Sequence, residues 1–133
     1  MLKGVVRGQV DLLSPEAGRV ALKGFFAIAE RWGLSGADQM TLLGGLPRST
    51  FHAYRKLPKV GLSRDLIERI SLVMGIYKAL QISLADSERV ERWIHHPITA
   101  ALFSGQSALE RMTAGSITDL AVVRDYLDAQ QGW

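Results

Sequence analysis

The sequence contains no cysteine. That removes disulfides, thiolate nucleophiles and cysteine-ligated metals, and it fits a reducing compartment. No apolar run approaches the roughly 20 residues needed to span a bilayer, and residues 1–11 lack the continuous apolar segment of a signal peptide. A cytoplasmic location with no membrane partner is therefore expected. No glycine-rich phosphate loop follows a strand, and no His-Glu-x-x-His segment occurs. Histidines number three. His95 and His96 are adjacent, so on a helix they point about 100° apart and cannot clamp one metal as an i, i+4 pair can. Neither a convincing strand, an internal repeat nor a low-complexity segment is present. The chain is expected to have no catalytic residue, no metal site and no cofactor. A Ser/His/Asp set assembled in space is the one catalytic arrangement that residue order leaves open.

What is present is apolar surface and an uneven distribution of charge. Of 133 residues, 47% are hydrophobic and 22% charged, so the chain should fold, as one domain or as two small ones sharing a core. The net charge is only +3, yet residues 17–81 hold ten Lys/Arg against four Asp/Glu, a local +6. Residues 82–106 carry −1, residues 107–133 carry −2, and residues 1–16 balance. Two different surfaces follow, the first suited to an anionic partner.

Helix signals recur along the chain. Residues 1–14 show no sustained period and read as an arm. Ser14-Pro15-Glu16 is a start signal, with serine as cap and proline in the first turn. Leu22, Phe25, Ala29 and Trp32 follow at helical spacing up to Gly33. Ser35 and Asp38 open a second helix that carries Met40 and Leu43 inward and ends at Gly44-Gly45. Pro47 pre-sets the first turn of a third. Residues 57–62 read as a loop. Ser63 caps a long helix striped by Leu66, Ile70, Val73, Tyr77 and Leu80, in which Gly75 either admits a close neighbour or kinks the helix. Ser83 with Asp86 is read as the start of another helix, carrying Val90 and Trp93 and ending before Pro97.

Two short helices joined by a glycine turn, the second entered through Leu46, form the layout of a helix-turn-helix. In the second, Phe51 and Tyr54 point inward at i and i+3. Arg48, Ser49, His52, Arg55 and Lys56 remain on the outer face, with Thr50 beside them. Arginine can pair with guanine edges, and serine, histidine and lysine can reach bases or phosphates. DNA contact through Arg48, Ser49, Thr50, His52, Arg55 and Lys56 is the functional expectation. A solvated basic scaffold helix is the alternative. One such unit reads a half-site, so a homodimer is expected.

Beyond Pro97, Ser107 and Glu110 have the spacing of a capping box, Gly115 stops that helix, and Ser116 or Thr118 caps a last one. On the last helix Leu120, Val123 and Leu127 share one face, with Val122 and Tyr126 beside them. Helices this short cannot bury that surface alone. They must pack on earlier helices or on another chain.

The order Trp93, Pro97, Phe103, Gly105, Ser107, Leu109, Met112, Gly115 and Val123-Arg124-Asp125-Tyr126-Leu127 resembles the toxin-binding domain of MbcA/ParS/Xre antitoxins. Ala108 stands where that family often has proline. The basic unit before it resembles the Xre-like helix-turn-helix of the same antitoxins, so the resemblance runs from about Ala17 to the end. It implies an all-α fold of about seven helices. Residues 1–14 would form an arm, 15–82 the helix-turn-helix domain and 83–133 the toxin-binding domain. It also implies an antitoxin that blocks the active site of a RES-domain, NAD-consuming toxin and represses its own operon by binding operator DNA. Trp93, Phe103, Gly105 and Leu109 should mostly shape the domain. Arg124, Asp125, Tyr126, Asp128 and the terminal Trp133 are the candidate toxin contacts, because accessible aromatics and arginines often anchor interfaces. A stand-alone regulator that dimerises through its C-terminal helices, and an adaptor with a vestigial DNA-binding unit, are the competing readings.

Overall fold

Side-chain caps set where most of these helices begin. The computed structural model describes residues 11, 13–84 and 86–130. In it, Ser14 accepts a hydrogen bond from the Ala17 amide at 3.1 Å and opens α1 (Pro15–Arg31), which closes at Gly33 with φ +66°. Ser35 accepts from the Asp38 amide at 3.0 Å and opens α2 (Gly36–Leu42). Gly44 and Gly45, at φ +91° and +81°, then make the turn that only glycine takes without strain. Pro47 sits at the cap of α3 (Arg48–Lys56), one position before its first helical turn, and makes no side-chain capping bond. Ser63 accepts from the Leu66 amide at 3.1 Å at the start of α4 (Arg64–Leu84), the longest element at 21 residues.

The start of α5 (Ser87–His95) corrects the expectation from Ser83. Ser83 lies inside α4, and Asp86 is the cap, its carboxylate accepting from the Glu88 amide at 3.0 Å. Serine and aspartate cap about equally well. The stripe of α4 continues through buried Leu80 to half-buried Leu84, so the helix propagates past Ser83. Ser107 and Glu110 form both halves of a capping box before α6 (Ala108–Met112). Ser116, rather than Thr118, opens α7 (Ile117–Gln130), accepting from the Thr118 amide at 2.9 Å. Two features had no sequence signal. A single 3₁₀ turn spans Ala101–Phe103, and Pro97 and Ser107 form an isolated antiparallel bridge that closes the loop between them.

The described residues thus form seven α-helices, with a helix-turn-helix first and a smaller helical unit after it. Helix α4 is the spine. It packs on α1, on α5 and, most extensively, on α7, while α6 packs between α5 and α7. One continuous apolar cluster runs from Leu22, Phe25 and Trp32 through Ile70, Val73 and Ile76 to Phe103, Leu120 and Val123. No helix among the described residues is long and apolar enough to cross a membrane.

Candidate nucleic-acid and partner interfaces

Helix α3 is held by few contacts. Phe51, at 3% exposure, is its one buried side chain, and its ring meets Phe26 of α1 edge-on at 5.9 Å between centroids. Tyr54 is half-buried, and its carbonyl accepts from Arg19 Nη1 of α1 at 3.4 Å. Both residues point inward as their spacing predicts. Arg48, Ser49, His52 and Lys56 are exposed, and Thr50 is half-buried at the edge of the same surface. The His52 ring lies 5.7 Å from that of Phe51. The four exposed residues present hydrogen-bonding side chains, with Arg48 and Lys56 carrying positive charge, along one side of a nine-residue helix.

Arg55 is exposed as well, but its guanidinium has partners within the protein. Its guanidinium carbon lies 4.5 Å from the Phe26 centroid and 5.2 Å from that of Phe51, in cation–π contact with both. Its Nη2 donates to Gln39 Oε1 at 3.3 Å. Gln39, in α2, is 6% exposed, and its Nε2 donates to the Leu34 carbonyl at 3.1 Å. Sequence reasoning missed Gln39, since a glutamine between Asp38 and Met40 carries no periodic or motif signal. Only the fold brings it to Arg55, 16 residues away.

The second surface is built around α7. Leu120, Val123 and Leu127 are buried against the core, with Val122 and Tyr126 half-buried, as the helical stripe predicts. Tyr126 stacks edge-on against buried Phe103 at 5.0 Å. Arg124 is turned back onto α4. Its guanidinium lies against Gly75, where a Cβ would collide with it, so the glycine in α4 admits a close neighbour. Arg124 Nε also pairs with Asp128 at 3.0 Å. Asp125 and Asp128 are exposed, and Trp133 lies outside the described residues. Of the matched motif positions, Phe103 is fully buried, Gly105 takes φ +82°, and Trp93 and Leu109 are half-buried against the core. Arg111 ties α6 to α7 through Asp119 at 2.8 Å and to the Leu102 carbonyl at 2.9 Å.

Among the described residues no group of three or more His, Asp or Glu is placed to hold a metal ion. His95 Nε2 instead lies 3.0 Å from the Trp32 carbonyl, joining α5 to the end of α1.

Comparison with known proteins divides the chain in the same way as its two surfaces. Residues 11–75 match the antitoxin Xre-like helix-turn-helix domain. Residues 79–132 match the antitoxin Xre/MbcA/ParS C-terminal toxin-binding domain. The two segments meet within α4. The uncharacterized protein y4oB of Sinorhizobium fredii (strain NBRC 101917 / NGR234) is 45% identical over 111 residues, which cover 84% of each chain. With a helix-turn-helix unit carrying an exposed basic helix, and a toxin-binding unit packed behind it on a shared spine, this chain belongs to the Xre/MbcA/ParS antitoxins of toxin–antitoxin systems.

Proposed function

We propose that this antitoxin neutralises a RES-domain, NAD-consuming toxin by covering its active site, and that it represses its own operon through α3. The toxin-binding match over residues 79–132 carries the reading. Inhibition of this kind needs no catalytic residue in the antitoxin. It needs a complementary surface of roughly 800 Å² per partner and one element that reaches the toxin's pocket. The end of α7 and the residues after it, 124–133, are that element. Asp125 and Asp128 are exposed there, and Tyr126 is half-buried with its ring anchored by Phe103. Arg124 is seated against Gly75 of α4, and its contact with the toxin would be made from that seat.

Operator binding is supported by the exposed Arg48, Ser49, His52 and Lys56 within the basic half of the chain. Residues 15–82 would then serve DNA and 83–133 the toxin, while most of the 1–14 arm lies outside the described residues. A homodimer would place two copies of α3 on two half-sites.

Co-expression with the product of the adjacent gene tests the reading. A stable complex, growth restored only in the presence of this chain, and NAD preserved in the same cells are expected. A complex that restores growth while NAD never falls under the toxin alone would overturn the RES assignment. It would leave the antitoxin role standing.

A further inference from the structure

Arg55 belongs to the basic face of α3 by sequence and is exposed there, yet its guanidinium is already engaged by the protein. We propose that Arg55 is a positioning residue that locks the reading helix against α1 and α2, and does not itself contact DNA. The inference rests on the reading of α3 as the DNA-binding element.

Helix α3 needs such a lock. It is nine residues long, has no side-chain cap, and buries one side chain. Helices of that length are marginal without tertiary support. The guanidinium supplies that support to three helices at once, through Phe26 of α1, Phe51 of α3 and Gln39 of α2. Gln39 is fixed in turn by the Leu34 carbonyl, just ahead of α2. The chain of contacts sets the angle between α2 and α3, the two helices of the turn unit.

The same contacts argue against a role in reading bases. Bidentate recognition of a guanine edge uses two donors of the guanidinium fork with the side chain extended into the groove. To reach a base, Arg55 would leave both rings and take its donor from Gln39, a residue only 6% exposed. Arg48 and Lys56 are exposed at the two ends of the same helix and face no such conflict.

The test measures binding of the full chain to its promoter duplex and to a scrambled duplex across a salt series. Arg55→Met should weaken promoter binding about tenfold or more while leaving the slope of log K against log salt unchanged. A direct phosphate contact would lower that slope by about 0.9. Gln39→Met should reproduce the loss, and the double variant should be no worse than either single one, because the residues act as one unit. Arg55→Lys guards against a variant that fails to fold. It keeps a cation for the two rings and a donor for Gln39 Oε1, so promoter affinity should lie between the parent and Arg55→Met with the slope unchanged. A reduced slope in Arg55→Met with equal weakening on both duplexes would overturn the proposal. So would a silent Gln39→Met, or an Arg55→Lys variant that binds as poorly as Arg55→Met. If the unaltered chain fails to distinguish its promoter from the scrambled duplex at any salt, the DNA-binding reading itself falls, and the proposal with it.

Discussion

Two helical glycines illustrate how much a single side chain decides, and in what currency. Gly18 is buried in α1, and a Cβ there would meet the Val60 carbonyl and the Leu62 side chain. The loop at Val60 is tied to α1 through the Pro15 carbonyl at 3.2 Å, so neither backbone can withdraw. Gly18→Ala should therefore cost about 2–3 kcal/mol by overpacking. Gly75 meets only the end of the long Arg124 side chain. Alanine in a helix interior gains up to about 1 kcal/mol over glycine, so Gly75→Ala should stay within about 1 kcal/mol of the parent while displacing the guanidinium. Chemical denaturation of the two variants separates these outcomes, and equal losses would refute the contrast. Glu16 gives a pH-dependent case. Its carboxyl lies below the ordinary value of 4.5, first through a backbone hydrogen bond and then through Lys59, 3.2 Å away. A lowered folded-state value means that the stabilisation is present above the ordinary value and is lost as pH falls through the folded one. Lys59→Met should raise the Glu16 value only part of the way to 4.5, since the backbone bond remains. A carboxyl-detected NMR titration reads this directly, and full return to 4.5 would contradict it. Residues of this kind were not legible in the sequence. Gln39, Arg124 and Gly18 take their roles from partners far along the chain, whereas Ser14 and Ser35 announce theirs to amides three residues on.

At the scale of elements, legibility follows the same physics. Helix starts were readable because a capping serine and its target amide lie within one turn, and glycine stops because φ above zero is a local demand. The faces of α4 and α7 were readable because burial imposes a period near 3.6 on 14 or more residues. The 3₁₀ turn at Ala101–Phe103 and the Pro97–Ser107 bridge are shorter than any such period. The misplaced start of α5 arose because two adequate caps, Ser83 and Asp86, stand three residues apart, and continuation of the apolar stripe chose between them. The capping box of α6 can be tested as an element. That helix has five residues, and its cap Ser107 is 4% exposed, so no water replaces a lost bond cheaply. Ser107→Ala should cost about 1–2 kcal/mol. Ser107→Asp, which keeps an acceptor but adds charge in a nearly buried place, should recover only part of it. A loss below about 0.5 kcal/mol in denaturant unfolding would mean that α6 is held by Met112 and Ala108 alone, and that the box merely marks where it begins.

The whole molecule joins its two surfaces through one core, and that constrains how they can communicate. Trp32 closes α1 of the DNA-binding unit, while Trp93 lies on α5 of the toxin-binding unit. Both pack into the apolar cluster that α4 carries from end to end. Cutting such a cluster across its middle would expose Ile70, Val73 and Ile76, each at 1% exposure or less, on both halves at once. Unfolding one unit while the other stays intact is therefore disfavoured, and a single cooperative transition is expected. The prediction is read with two variants that keep one indole each. One retains Trp32, with Trp93 and Trp133 changed to phenylalanine. The other retains Trp93. Their fluorescence midpoints in denaturant should coincide with each variant's own helical circular dichroism, and displacing either probe from it would make α4 a joint between separate units. Coincidence has a functional consequence. Anything that binds the native toxin-binding surface stabilises the native state by mass action, and with one transition the α1–α3 unit shares that gain. A bound toxin would then protect the buried face of α1 without touching it, while the thinly anchored α3 continues to open locally. Hydrogen exchange of the α1 amides that open only with the whole molecule, slowed on toxin binding only if the two units unfold together, is where that coupling would be seen.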